Sequence, residues 1–184
     1  MPQRYKKKPV SKRKILSAAN KVKLLILDVD GVMTDGSIIL DNFGNELKSF
    51  HVRDGHGIKM LMTAGIRVAL ITGRQSVVVE KRAHELGIAD VFQKCYDKRI
   101  AYNELARKYS LDDSEIAYIG DDIVDIPVLE KVGLSVAVAD AHEMVKGAAH
   151  VITGKEGGKG AVREICDLIL KAKGLWKDPS DGDT

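Results

Sequence analysis

The sequence predicts an α/β fold: a doubly wound, mostly parallel sheet, with a small β-hairpin inserted after its first strand. Three observations carry this. Short, nearly continuous apolar runs recur along the chain, as strands buried on both faces require. Stretches of helical length and periodicity separate them, which is the signature of βαβ units. The 184 residues are 45% hydrophobic and 30% charged, ordinary values for one domain with a full core.

Residues 1–20 form a basic arm, expected to be a mobile, solvated terminus. Residues 1–23 carry nine Lys or Arg and no acid, which leaves 20 basic against 26 acidic residues, a balance of −6, in the remainder. The overall +3 therefore describes an appendage. The acidic body argues against nucleic-acid binding, because backbone phosphates would be repelled. The expected domain runs from 21 to 174. Val22–Leu27 (VKLLIL) is its first strand. Ser37–Leu40, a turn over 41–46 rich in Asp, Asn and Gly, and Leu47–Val52 read as the hairpin.

Beyond the hairpin, Ile66–Ile71, Val91-Phe92, Ile116–Ile119, Leu134–Val138 and Val151-Ile152 are the further strands. Helices are expected over about 56–64, 75–86, 98–109, 122–131, 141–147 and 160–173, with Gly65, Gly87, Gly133 and Gly174 at C-cap positions. The tail 175–184 is polar apart from Leu175 and Trp176 and is expected to be mobile. No run of 18 apolar residues offers a membrane span. The basic N-terminus lacks the apolar stretch of a secretory signal. Cys95 and Cys166 are far apart and fit two reduced thiols. Together these point to a cytoplasmic protein without a membrane partner.

Ligands of open α/β sheets bind at the carboxyl ends of the strands. The first strand is followed by Asp28-Val-Asp30-Gly31, the second core strand by Thr72-Gly73-Arg74. Lys98 follows the third, at a helix start. Gly120-Asp121-Asp122-Ile-Val-Asp125 follows the fourth. Each piece alone has a plain structural reading: Asp28, Thr72 and Asp121 as helix caps, Lys98 as a surface charge. Their serial placement is what carries information. Converging carboxylates repel unless a cation lies among them, and oxygen-only donors suit Mg²⁺. Thr72, the Gly73 amide and Lys98 would then hold phosphate oxygens. A carboxylate beside a cation-held phosphorus is a candidate nucleophile.

This series resembles the haloacid dehalogenase superfamily of phosphotransferases over roughly residues 21–173. The resemblance implies a core sheet of order 5-4-1-2-3. It implies Asp28 as nucleophile and Asp30 as general acid/base, with Mg²⁺ on Asp28, the Asp30 carbonyl and Asp121. Asp122 and Asp125 would support the metal. Members often carry a large cap domain, but only about 30 residues separate Asp35 from Ile66, so no separate cap is expected. An uncovered site suits either a macromolecular substrate or closure by neighbouring subunits.

A finer resemblance decides between them. Phe50-His-Val-Arg-Asp-Gly-His-Gly-Ile-Lys59, Ile71-Thr-Gly-Arg74, the Gly120–Pro127 stretch, Val132–His142 and Gly157–Cys166 are similar to the 3-deoxy-D-manno-octulosonate 8-phosphate (KDO-8-phosphate) phosphatase family of lipopolysaccharide precursor synthesis. That family is tetrameric, with inter-subunit contacts helping to cover the site. It implies substrate contacts at Asp30, His51, Val52, Arg53, Asp54, Gly55, Lys59, Arg74, Arg82 and Lys98. Its pattern commonly has Asn at position 51, Tyr at 56, and Arg at 59 and 159. Without the resemblance, Arg74 and Arg82 read as exposed helix charges. The alternatives are a phosphatase of a nine-carbon 2-keto sugar acid 9-phosphate, a receiver-like signalling domain and a non-catalytic module. A receiver would place its phospho-accepting Asp after the third strand. A non-catalytic module would have lost one of the Asp or Lys positions.

Overall fold

A computed structural model describes residues 10–176. The expectations for 1–9 and 177–184 fall outside the described residues. Six parallel strands form the main sheet: β1 (Leu24–Leu27), β4 (Arg67–Ile71), β5 (Asp90–Phe92), β6 (Ile116–Gly120), β7 (Leu134–Ala137) and β8 (Val151–Ile152). Their order is β5-β4-β1-β6-β7-β8. Read from β7 to β5, the five core strands follow the order 5-4-1-2-3. The short run Val151-Ile152 adds a sixth strand at one edge.

β1 lies at the centre because all four of its residues are apolar and fully buried. Leu24–Leu27 pair in register with Arg67–Leu70 on one side and Ile116–Ile119 on the other. The connections wind helices onto both faces, as right-handed crossovers require. On one face α3 (Val77–Leu86), α2 (Val52–Thr63), α7 (Ala161–Ala172) and α1 (Lys12–Lys21) touch in succession. On the other, α4 (Lys98–Tyr109), α5 (Ile126–Leu129) and α6 (Glu143–Ala148) do so. The buried stripe of α7 is Val162, Ile165, Cys166, Ile169 and Leu170, spacing that keeps one helical face inward.

Four local expectations differ from the structure. Within the expected mobile arm, the chain from Lys12 is helix α1, with Ala19 fully buried and Ile15 packed on the core. Lys12, Arg13 and Lys14 on the same helix stay exposed, so the charges masked an amphipathic pattern. The hairpin is shorter than expected, with β2 (Ile39–Leu40) pairing antiparallel with β3 (Glu46–Leu47). Asp41 closes its turn by accepting the Phe43 and Asn45 amides at 2.8 Å each. Position 52 begins α2 instead of ending a strand, so Arg53-Asp54-Gly55 is a first helical turn and not a loop. The helix expected over 122–131 is a 3₁₀ turn at Ile123–Asp125 followed by the short α5, with Pro127 in its first turn. In the tail, Trp176 lies between Arg163 and Lys171, 5.7 and 4.7 Å from its ring centre.

Candidate active site

Because β1, β4 and β6 are parallel and in register, the segments that follow them meet at one edge of the sheet. Asp28 extends β1, its amide donating to Ile119 O at 3.1 Å, and its side chain is almost completely buried. The chain then turns tightly: the amides of Val32, Met33 and Thr34 all donate to Val29 O. Gly31 makes the turn possible with φ +86°, and a Cβ there would lie 2.2 Å from Asp121 Oδ2. Thr72 follows β4, buried, with its amide on Phe92 O at 2.9 Å. Lys98 opens α4 behind the Asp97 cap.

These elements wall a cleft of about 350 Å³ lined by Asp28, Asp30, Thr72, Gly73, Arg74 and Lys98 together with Asp121 and Asp122. Lys98 Nζ lies 3.0 Å from Asp28 Oδ1 and 2.6 Å from Asp125 Oδ1. Asp125 is fully buried and holds the β6 loop, its Oδ2 accepting the amides of Asp121 at 2.9 Å and Asp122 at 3.2 Å. Tyr118 OH donates to Asp125 Oδ1 at 2.6 Å. Asp122 is exposed and caps Ile123 N at 2.7 Å.

The electrostatics follow from this crowding. Burial, with Asp125 and Asp121 adding to it, pushes Asp28 well above the usual carboxylate range, although Lys98 opposes the shift. Burial and then Asp125 push Asp121 up to about 7. Burial alone would lower the Lys98 pKa, but Asp28 and Asp125 outweigh it and raise the value. Carboxylate oxygens of Asp28, Asp121 and Asp125 lie within 4.8 Å of one another. Asp121 Oδ1 is buried without a hydrogen-bond partner. An orphaned acceptor among crowded carboxylates fits a hard divalent cation, which would neutralise the repulsion that raises these values. Asp122 lies outside that group, its Oδ1 accepting the Ile123 amide.

Four residues that the sequence reading passed over belong to this site. Lys48, with a side chain 2% exposed, forms an ion pair with Asp30 and lies 3.3 Å from Glu46. Glu46 accepts from Arg74 Nη2 at 3.1 Å and from the Ser76 hydroxyl. The Ser76 bond is the main reason Glu46 is held below its ordinary pKa. Tyr118 is the fourth. Signals existed: Glu46 and Lys48 are two apart, a spacing that extended backbone places on one side, and a tyrosine in a fully buried strand needs a partner for its hydroxyl.

Several expected substrate contacts stand apart from the cleft. His51 stands at the N-cap position of α2 without a capping side-chain bond, its buried Nδ1 4.0 Å from Asp54 Oδ2. Val52 is 81% exposed, and Arg53 and Lys59 point to solvent. Asp54 is buried and accepts the amides of Gly160 at 3.2 Å and Arg163 at 2.7 Å. It thereby caps the start of α7, whose first amides have no helical acceptor; burial raises its pKa despite those bonds. Gly55 is buried, and a Cβ there would meet Arg82 Nη2 at 2.4 Å. Arg82 bonds Glu85 at 2.8 Å and lies over the Phe50 ring.

The segment Gly154–Gly160 completes the site from behind. A Cβ on Gly157 would fall 1.8 Å from Gly31 O, so only glycine lets this backbone touch the turn after Asp30. Gly158 N donates to Val32 O at 2.9 Å, and Gly157 N to Asp140 Oδ1 at 2.9 Å.

Comparison with known proteins agrees with this geometry. The family model of haloacid dehalogenase-like hydrolases matches residues 86–165. The chain is 53% identical over 165 residues to the 3-deoxy-D-manno-octulosonate 8-phosphate phosphatase KdsC of Yersinia pestis, covering 90% of this chain and 88% of that one. It is 52% identical over 166 residues to KdsC of Escherichia coli K12, with the same coverage. The crystal structure of the phosphatase from Moraxella catarrhalis, in complex with magnesium, phosphate and KDO, superposes with a TM-score of 0.87. That pair is 42% identical, over 89% of this chain and 94% of the other.

Proposed function

The chain belongs to the KDO-8-phosphate phosphatase family of haloacid dehalogenase-like hydrolases, and from that premise we propose that it hydrolyses KDO-8-phosphate to KDO and phosphate in lipopolysaccharide precursor synthesis. One observation carries the chemistry: Asp28 stands at the base of the cleft between Lys98 and the carboxylates of Asp121 and Asp125.

Asp28 attacks phosphorus in line, forming an aspartyl-phosphate. Lys98 and Thr72, with the Gly73 amide, hold the phosphoryl oxygens. Asp30 protonates the departing alkoxide, then takes a proton from the water that hydrolyses the intermediate. Lys48 holds the Asp30 carboxylate on the side of the hairpin. Asp28, the Asp30 carbonyl and Asp121 would hold Mg²⁺, which when bound would supply charge neutralisation at the phosphoryl group. Little covalent chemistry remains for the protein, so positioning dominates. Arg74, on the cleft wall, is the cation placed to meet the sugar carboxylate.

The working molecule is a homotetramer. The hairpin exposes Ile38, Leu40, Phe43 and Leu47, with Phe43 91% exposed, a cluster of apolar surface that a partner would bury. His51, Arg53, Lys59 and Arg82 lie off their own cleft, which suits service to a neighbouring subunit's site. Free thiols at Cys95 and Cys166 support a reducing, cytoplasmic setting. Among the described residues no helix is long and apolar enough to cross a membrane.

The test is phosphate release across a panel of sugar phosphates, with Mg²⁺ or a chelator. Preference for KDO-8-phosphate is expected; better turnover of a nine-carbon acid 9-phosphate would replace the substrate assignment.

A further inference from the structure

We infer that Tyr118 is a positioning residue of the reaction, acting through Asp125 on Lys98 and on the loop that presents Asp121. Tyr118 is fully buried in the middle of β6, two residues before the strand ends. A phenylalanine would fill the same apolar space, so the hydroxyl demands its own explanation. It donates to Asp125 Oδ1 at 2.6 Å, the oxygen that also receives Lys98 Nζ at 2.6 Å.

Asp125 is the node. Its Oδ1 anchors the ammonium that faces Asp28, and its Oδ2 anchors the amides of Asp121 and Asp122. The carboxylate can serve both only in one rotation about its Cβ–Cγ bond. Only a glycine at 120 leaves space for that carboxylate, since a Cβ there would lie 2.5 Å from Asp125 Cγ. Tyr118 is the neutral donor that fixes Oδ1 from within the sheet. Without it, Oδ1 keeps only Lys98, a flexible partner that can follow the carboxylate away from Asp28. A shift of this kind disturbs the reacting geometry without removing any group that touches substrate.

The inference rests on the roles given above to Lys98 and Asp121, and its test separates the two. Tyr118→Phe, Asp28→Asn and the unaltered enzyme are compared for kcat and KM on KDO-8-phosphate. Kinetics are read with Mg²⁺ added, and hydrogen exchange of the 120–126 segment is followed on the same preparations before the metal is added. Tyr118→Phe is expected to lower kcat ~10-fold and to change KM less than ~3-fold, the scale of one hydrogen bond to a charged group. The Asp121 and Asp122 amides should exchange ~10-fold faster while the amides of β1 keep their protection. An unchanged kcat overturns the inference and leaves the phosphatase reading intact. A kcat loss with unchanged exchange over 120–126 overturns the route through Asp125. A variant that fails to fold makes the hydroxyl an element of stability and also overturns it. Turnover surviving in Asp28→Asn would instead strike at the phosphatase reading itself.

Discussion

Asp28 and Asp30 are two residues apart and have opposite surroundings. Asp28 is sealed among Lys98, Asp121 and Asp125, while Asp30 reaches the cleft rim against Lys48. Those surroundings fit a nucleophile held beside a cation and a proton carrier held near the leaving group. Asp28→Asn is expected to lower kcat at least ~1,000-fold with the fold retained. Lys48→Met should lower kcat ~10–100-fold, because the acid/base group loses the partner that orients it; steady-state kinetics on both variants check this. The raised Asp121 gives a pH prediction. Its protonated form is favoured by folding, so the stability it contributes is present below the usual carboxylate range and is lost as pH rises through about 7. A bound cation reverses the balance by favouring the carboxylate. The increase in unfolding temperature on adding Mg²⁺ should therefore be larger at pH 8 than at pH 6. An increase independent of pH would contradict this placement of Asp121.

At the scale of elements, the turn after Asp30 is held from behind by Gly157 and Gly158. Gly157→Ala forces a Cβ into Gly31 O and should cost ~3 kcal/mol or more, read by chemical denaturation. Helix α1 gives a second check. Ala19→Asp places a carboxylate where Ala19 is fully buried and should cost ~3 kcal/mol; a mobile arm would show no loss. The strands and long helices were legible in the sequence because buried parallel strands and amphipathic helices obey simple periods. The strand-end residues Asp28, Thr72, Lys98 and Asp121 were legible because parallel strands bring their ends together. The hidden parts depend on tertiary context. Lysines and arginine at 12–14 hid the inward face of α1. Helix α2 starts four residues earlier than its apolar pattern showed, with Asp54 in its first turn reaching the amides that open α7. Lys48 and Glu46 reach the site only because the hairpin folds over it, which no local pattern states.

At the scale of the whole molecule, the described residues supply a catalytic core without a separate cap, with the hairpin over one side of an open cleft. The exposed apolar hairpin and the basic residues off the cleft suit the assembly proposed above, in which subunits would complete one another's sites. Phe43→Asp should shift the assembly toward smaller species in light scattering and raise KM, while each subunit stays folded. The central claim is metal-dependent hydrolysis of KDO-8-phosphate through Asp28. The most direct measurement is phosphate release from KDO-8-phosphate by the unaltered enzyme and Asp28→Asn, each with Mg²⁺ and with EDTA. Turnover is expected only in the unaltered enzyme with Mg²⁺. Turnover that persists in EDTA, or in Asp28→Asn, would contradict it.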